Sequence, residues 1–299
     1  MSGDRRVTIL SLARFLSRAL VDFVYPPHCA ACRTWLEVAQ ELLCPQCWRE
    51  LETEGGRRCR RCGCPIGDPI HAAVACGSSA VVDAAAARGP GSQHEHREAP
   101  SPPPPAAASG DEGMCSNCRS WDPALKRVLV WCPFEGVMQQ AIHALKFDRN
   151  QRLGRELGRR LGRACWLQAE LADIDLLVPV PLHPARQRER GYNQSLCIAA
   201  GLAEAIGKPV RPGLVRRRRA TRQQARLDAA ERASNLADAF ETVGDVPSGI
   251  RLGLVDDVVT TGATLASCCK VLERRGVSVL GVALASPYPR RLDVISSRR

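Results

Sequence analysis

Residues 253–265 read GLVDDVVTTGATL. An apolar run ends in two adjacent carboxylates, Asp256 and Asp257, and a short turn, Thr260-Thr261-Gly262-Ala263-Thr264, opens the periodic stretch TLASCCKVLERRG. The run reads as a buried strand and the periodic stretch as a helix closed by Gly276, with VSVLGVALAS as a second buried strand behind it. Strand, turn, helix and strand at this spacing form a right-handed crossover in a parallel sheet. Ligands of such sheets bind beyond the carboxyl ends of the strands. A helix N-terminus offers free amides and the positive end of its dipole, so a phosphate can rest on the turn from Thr260 to Thr264. Thr261 and Thr264 add hydroxyl donors, and Gly262 lets the backbone approach closely. Asp256 and Asp257 are acceptors suited to the two hydroxyls of a ribose or to waters around magnesium. A sugar carrying a 5-phosphate satisfies both halves. The plainer alternative is an Asp that caps a helix beside a threonine turn.

The same texture extends back to Trp121. KRVLVWC (126–132) reads as a strand, GVMQQAIHALKF (136–147) as a helix and QRLGRELGRRLGRACWLQAEL (151–171) as one long amphipathic helix. DIDLLVPVPL (173–182) is a buried strand, QSLCIAAGLAEAIG (194–207) a helix ended by Gly207, and IRLGLVDD (250–257) the strand bearing the acids. This is the signature of an α/β domain over 121–290, followed by a basic tail at 291–299.

Ahead of that domain the cysteines set the reading. There are 15 in 299 residues, and such density in a chain expected to be cytoplasmic suggests metal before disulfides. Four C-x-x-C pairs stand out: Cys29/Cys32, Cys44/Cys47, Cys59/Cys62 and Cys115/Cys118. Eight thiolates suffice for two tetrahedral, structural zinc sites. Cys64 and Cys76 offer a rival quartet with Cys59 and Cys62. Gly63 follows the third pair, where a knuckle needs a residue free to take positive φ. A segment this short cannot bury enough surface to fold alone, and zinc supplies the missing stability. Cys132, Cys165, Cys197, Cys268 and Cys269 lie in apolar surroundings and read as core. The double zinc ribbon therefore spans 29–120, interrupted at 66–113 by an Ala-, Pro- and Gly-rich insertion that reads as disordered. His94 and His96 within it read as solvent-exposed.

Residues 1–28 read as an amphipathic helix, its apolar run broken by Arg14 and Arg18. No run approaches the roughly 20 apolar residues of a membrane span, and no cleavage site follows, so a cytoplasmic location is expected. The net charge of +11 favours polyanionic partners, phosphate compounds or nucleic acid. The basic run VRRRRATR at 215–222 has no interleaved aromatics, so a single-strand stacking platform is not written there. No G-x-x-x-x-G-K occurs, which excludes a P-loop nucleoside triphosphatase.

The acid doublet and threonine turn resemble the phosphoribosyl pyrophosphate loop of type I phosphoribosyltransferases. The wider set looks like the ComF family: zinc knuckles ahead of AIHALKF, VPVPLHPARQRERGYNQS, TRQQARLDAAERASNLADAF and LVDDVVTTGAT. The resemblance covers roughly residues 20–288 apart from the insertion. It implies a double zinc ribbon, each site built from four cysteines, fused to a parallel-sheet phosphoribosyltransferase-like α/β domain, with phosphoribosyl pyrophosphate and Mg2+ at the site. By matching position, Arg186, Arg188 and Arg190 are candidates for the pyrophosphate, Arg190 foremost, and Lys146 faces the phosphates. Asp256 and Asp257 would favour the positive ring of an oxocarbenium-like transition state. The segment 216–240 would close over the site, and His143 and His183 read as structural or local hydrogen-bonding residues. Members of the family are tied to imported single-stranded DNA, which implies single-stranded DNA and DNA-uptake or recombination proteins as partners. Three functions remain open at this level: a transferase on an unspecified acceptor, a non-catalytic sensor using the same pocket, and a DNA-uptake accessory protein.

Overall fold

A computed structural model describes residues 27–38, 41–52, 58–64, 113–218 and 239–287. The N-terminal helix, the insertion with Cys76, His94 and His96 apart from its final residue, most of the segment 216–240 and the basic tail lie outside the described residues. In chain order the elements are α1 (Pro45–Leu51), α2 (Ser116–Arg119), β1 (Val128–Pro133), α3 (Gly136–Phe147), α4 (Gln151–Arg163), α5 (Gln168–Ala172) and β2 (Leu176–Pro179). There follow α6 (Pro184–Arg190), α7 (Gln194–Ile206), β3 (Val215–Arg217), β4 (Phe240–Thr242), β5 (Arg251–Val258), α8 (Ala263–Glu273) and β6 (Ser278–Ser286).

Four strands form one parallel sheet in the order β1-β6-β5-β2. The β5–α8–β6 crossover read from residues 253–286 stands at its centre, with Leu254 opposite Gly281 and Asp256 opposite Ala283. Both faces are covered, which is why these strands are apolar throughout. Leu129, Trp131, Val255, Leu280, Val282 and Leu284 share one core with α3, α4 and α7. Val128, Val130, Leu252, Leu254 and Ala283 share the other with α8. The cysteine knuckles divide in the same way, Cys29 and Cys47 joining the first core and Cys59, Cys62, Cys115 and Cys118 the second. β3 and β4 form a separate antiparallel pair, which no sequence pattern announced.

The long helix expected over 151–171 is broken. α4 ends at Arg163, Ala164 turns extended at ψ 116°, and a single 3-10 turn leads into α5. The break lets Trp166 lie against Gly63 of the second knuckle, with the Arg58 guanidinium 3.7 Å above its ring. An uninterrupted helix would have carried the indole away from both. Cys165 is thereby turned to the surface, and Cys132 and Cys197 are only half-buried, so of the five expected core cysteines only Cys268 and Cys269 are fully enclosed.

α4 and α7 pack backbone to backbone. Leu153, Leu157 and Leu161 point every fourth residue into the core with no exposed surface, each contributing about 1.5–3 kcal/mol. The neighbouring stripe, Gly154, Gly158 and Gly162, faces α7. A Cβ at Gly158 would lie 2.1 Å from the Ile198 carbonyl oxygen, and one at Gly201 would lie 1.8 Å from that of Arg155. Both obstacles are backbone atoms and cannot yield without separating the helices. Gly→Ala inside an exposed helix stabilises by about 1 kcal/mol. Here the sign reverses: Gly201→Ala is expected to destabilise the chain by about 1–3 kcal/mol, measured as a lowered denaturant midpoint.

Candidate functional site

β5 delivers Asp256 and Asp257 to the carboxyl edge of the sheet, where two other segments meet them. Asn193 caps α7 by accepting from Ser195 N, and this sets the Ser195 hydroxyl 3.0 Å from Asp256 Oδ1. The same oxygen accepts from Asp257 N at 2.9 Å. From the last turn of α3, Lys146 Nζ reaches Asp257 Oδ2 at 2.8 Å. Burial, then repulsion from Asp257, pushes the Asp256 carboxyl up to about 7, against the pull of the Ser195 hydroxyl and the Lys146 charge. The two acids thus differ: Asp257 is ion-paired, while Asp256 is poised to hold or release a proton near neutrality.

Behind them Gly262, at φ 71°, caps α8 with no side-chain hydrogen bond to the helix amides. Thr260 and Thr261 are exposed, and Ala263 and Thr264 half-buried. Thr261 Oγ1 stands at the limit of hydrogen-bond reach, 3.5 Å from Ala263 N. The turn rests on the residues that follow the Cys115/Cys118 pair. Trp121 Nε1 donates to Thr260 O at 3.1 Å, and a Cβ on Gly262 would meet Leu125 at 2.8 Å and the Trp121 ring at 3.2 Å. Glycine is therefore required twice, for its φ and for the indole lying over it. Lys270 of α8 pairs with Asp122, and Asn117 Nδ2 donates to Pro287 O at 2.7 Å, so the ribbon grips the crossover at several points.

The three arginines separate. The stretch Pro184–Arg190 is the short helix α6, capped by His183 Nδ1, which accepts from Ala185 N at 3.1 Å. Arg186 and Arg188 are exposed and, together with burial and the Arg217 charge, lower the His183 pKa. Arg190 turns the other way: its guanidinium donates to Gln194 Oε1 at 3.1 Å and lies 5.9 Å from the Phe147 ring centre. Tyr192, whose hydroxyl donates to Leu145 O, lies within electrostatic reach of both Arg190 and Asp257. His143 stacks on Phe147 with ring centres 4.5 Å apart. The structure thus gathers Lys146, Arg190, Asp256, Asp257 and the threonine turn at one edge, with Arg186 and Arg188 on the flank. Ser195 and Trp121 went unread in the sequence. A serine two residues past a cap and a tryptophan three past a cysteine carry no local signal of where they will point.

The eight paired cysteines form two quartets, Cys29/Cys32/Cys44/Cys47 and Cys59/Cys62/Cys115/Cys118, each with its sulfurs within 4.8 Å of one another. Four sulfurs about 2.3 Å from one ion stand about 3.8 Å apart. Cys32–Cys44, Cys59–Cys118 and Cys62–Cys115 are each 3.7 Å apart, so both quartets fit zinc. Each opening knuckle turns on a left-handed residue, Arg33 at φ 64° and Gly63 at φ 71°. The second sits on the sheet through Val128 N to Arg61 O and Val130 N to Cys62 O, at 2.8 and 2.9 Å.

Two outcomes are expected. Metal analysis of the full chain returns two zinc ions, and a count of one would leave a quartet unfilled. Asp256, with its folded-state pKa raised from the ordinary value of 3.8, favours folding at low pH, and that contribution is lost as pH rises through about 7. The unfolding midpoint of the unsubstituted chain should therefore fall relative to that of Asp256→Asn between pH 5 and pH 8, measured without ligand.

Residues 20–79 match the family model of the double zinc ribbon domain. The DNA utilization protein YhgH of Salmonella typhi is 32% identical over 171 residues, 56% of this chain and 75% of that protein. Competence protein F of Haemophilus influenzae is 31% identical over 174 residues, 56% of this chain and 76% of that protein. Among solved structures, orotate phosphoribosyltransferase from Aeropyrum pernix superposes with a TM-score of 0.29 at 23% identity, covering 50% of this chain and 64% of that one. Among the described residues no helix is long and apolar enough to cross a membrane. With its two cysteine quartets and with relatives more than 30% identical matched over three quarters of their length, the chain belongs to the ComF family.

Proposed function

We propose that this chain binds phosphoribosyl pyrophosphate with Mg2+ at the carboxyl edge of its sheet and acts in the handling of DNA taken up by the cell. The observation that carries the ligand is the placement of an acid doublet on β5 shortly before a helix N-terminus whose cap, Gly262, has no side chain to occupy the amides. One half suits hydroxyls and cations, the other a phosphate. The names of the Salmonella and Haemophilus relatives support the cellular role.

In this reading the amides opening α8 and the hydroxyls of Thr261 and Thr264 take the 5-phosphate. Asp256 and Asp257 accept from the ribose hydroxyls. Lys146 and Arg190 hold the pyrophosphate end. As the bond from the anomeric carbon to pyrophosphate breaks, its electrons leave with the phosphate oxygen and the ring becomes positive. The two carboxylates stabilise that charge, while the cations retain the leaving group. Magnesium, when bound with the ligand, disperses charge on the leaving oxygens. A pocket that binds and does not turn over would serve as a sensor of the same metabolite.

A second reading, contact with single-stranded DNA, gains one observation. Phe147 is 57% exposed beside Arg190 and Lys146, an aromatic among cations of the kind on which a base stacks.

Calorimetry of the zinc-replete chain with phosphoribosyl pyrophosphate and Mg2+ is expected to show uptake. Losing two hydrogen bonds to charged acceptors costs about 3–6 kcal/mol, so the Asp256→Asn/Asp257→Asn chain should bind about 100-fold more weakly or worse with its zinc retained. Unchanged affinity would refute the site. Pyrophosphate release with a panel of bases separates transferase from sensor. A single-stranded oligonucleotide held at low salt, released as salt rises and weakened by Phe147→Ala, would support the second reading.

A further inference from the structure

The second metal centre contains more sulfur than four ligands require. Cys64, two residues past Cys62, is only 4% exposed, and its Sγ lies 3.1 Å from that of Cys62. All five cysteines of this cluster are buried.

The first ribbon provides an internal comparison. Its knuckle makes the same three contacts: Cys29 N to Thr34 O, Arg33 N to Cys29 O and Cys44 N to Cys29 Sγ. In the second these become Cys59 N to Cys64 O, Gly63 N to Cys59 O and Cys115 N to Cys59 Sγ. Cys64 therefore occupies the position of Thr34, whose Oγ1 lies 3.2 Å from Cys32 Sγ. A hydroxyl there can only support a neighbouring thiolate by donating to it. A thiol in the same place can itself become a ligand, since zinc takes thiolate sulfur readily.

We propose that Cys64 is a reserve thiolate of the second zinc centre, exchanging with Cys62 so that the ion is held by Cys59, Cys115, Cys118 and either of the two. At 3.1 Å the pair is closer than two corners of a zinc tetrathiolate, about 3.8 Å apart, so the two sulfurs alternate and do not bind together. The exchange balances: Cys64 gives up its proton as it turns inward, and Cys62 takes one as it leaves. The centre then survives loss of the Cys62 thiolate. That matters because Trp121, three residues past Cys118, supports the turn at Thr260.

The test replaces zinc with cobalt(II) in the full chain, because tetrathiolate and three-thiolate cobalt centres differ in their visible spectra. Cys62→Ser is expected to keep the spectrum of two tetrathiolate centres. Cys62→Ser/Cys64→Thr should show one tetrathiolate and one three-thiolate centre, as should Cys118→Ser. A Cys62→Ser spectrum matching that of the double variant would overturn the proposal. If Cys62→Ser does not fold, transfer of zinc to a chromophoric chelator decides. Cys64→Thr, which makes the second knuckle resemble the first, should release one of its two ions about tenfold faster than the unsubstituted chain. Equal rates would show that Cys64 does no more than Thr34, and would overturn it.

Discussion

The turn between β5 and α8 depends on a contact between two parts of the chain that are distant in sequence. Gly262 can hold its left-handed conformation because it has no Cβ, and the lack of a Cβ also lets Trp121 and Leu125 close over it. The indole then fixes the Thr260 carbonyl. Remove Trp121 and Leu125 from beneath this turn and the Thr260 carbonyl and Gly262 lose the partners that hold them. The second quartet thus stands three residues from the tryptophan that supports the turn of the candidate site.

A second constraint fixes the other side. The α4–α7 pair is drawn together until helix backbones touch at Gly158 and Gly201. That approach places the start of α7, and with it Ser195, against Asp256. Asp256 then sits among partners that oppose one another: Asp257 and burial favour its protonated form, while Ser195 and Lys146 favour its charge. A carboxylate held near its own midpoint responds readily to a cation or a ring acquiring positive charge. Asp257 is paired with Lys146.

Much of this was legible in residues 253–286, since strand, turn, helix and strand carry their own periodicities and glycine punctuation. The two quartets were legible too, because a C-x-x-C knuckle is a local object and Gly63 marks its turn. What misled were patterns that tertiary contacts override. The apolar stripe through 151–171 continues past Arg163, but Trp166 is claimed by the second knuckle and the helix breaks. Cys165 follows that break to the surface. A seven-residue helix sends Arg190 toward Phe147 and leaves Arg186 and Arg188 exposed, a division set by helical geometry and not by their order in the sequence.

Sequence by itself determined the parallel crossover, the acid doublet at its edge, the threonine turn and the four C-x-x-C pairs, because each is encoded within a few neighbouring residues by hydrophobic period, glycine placement or thiol spacing. Tertiary structure alone decided that Trp121 supports the turn, that Ser195 and Lys146 attend different acids, that Cys115 and Cys118 complete the quartet of Cys59 and Cys62, and that Cys64 stands beside it. These pairings join residues from 2 to 139 positions apart. Even the shortest depends on a side-chain direction that only packing against the rest of the molecule can set.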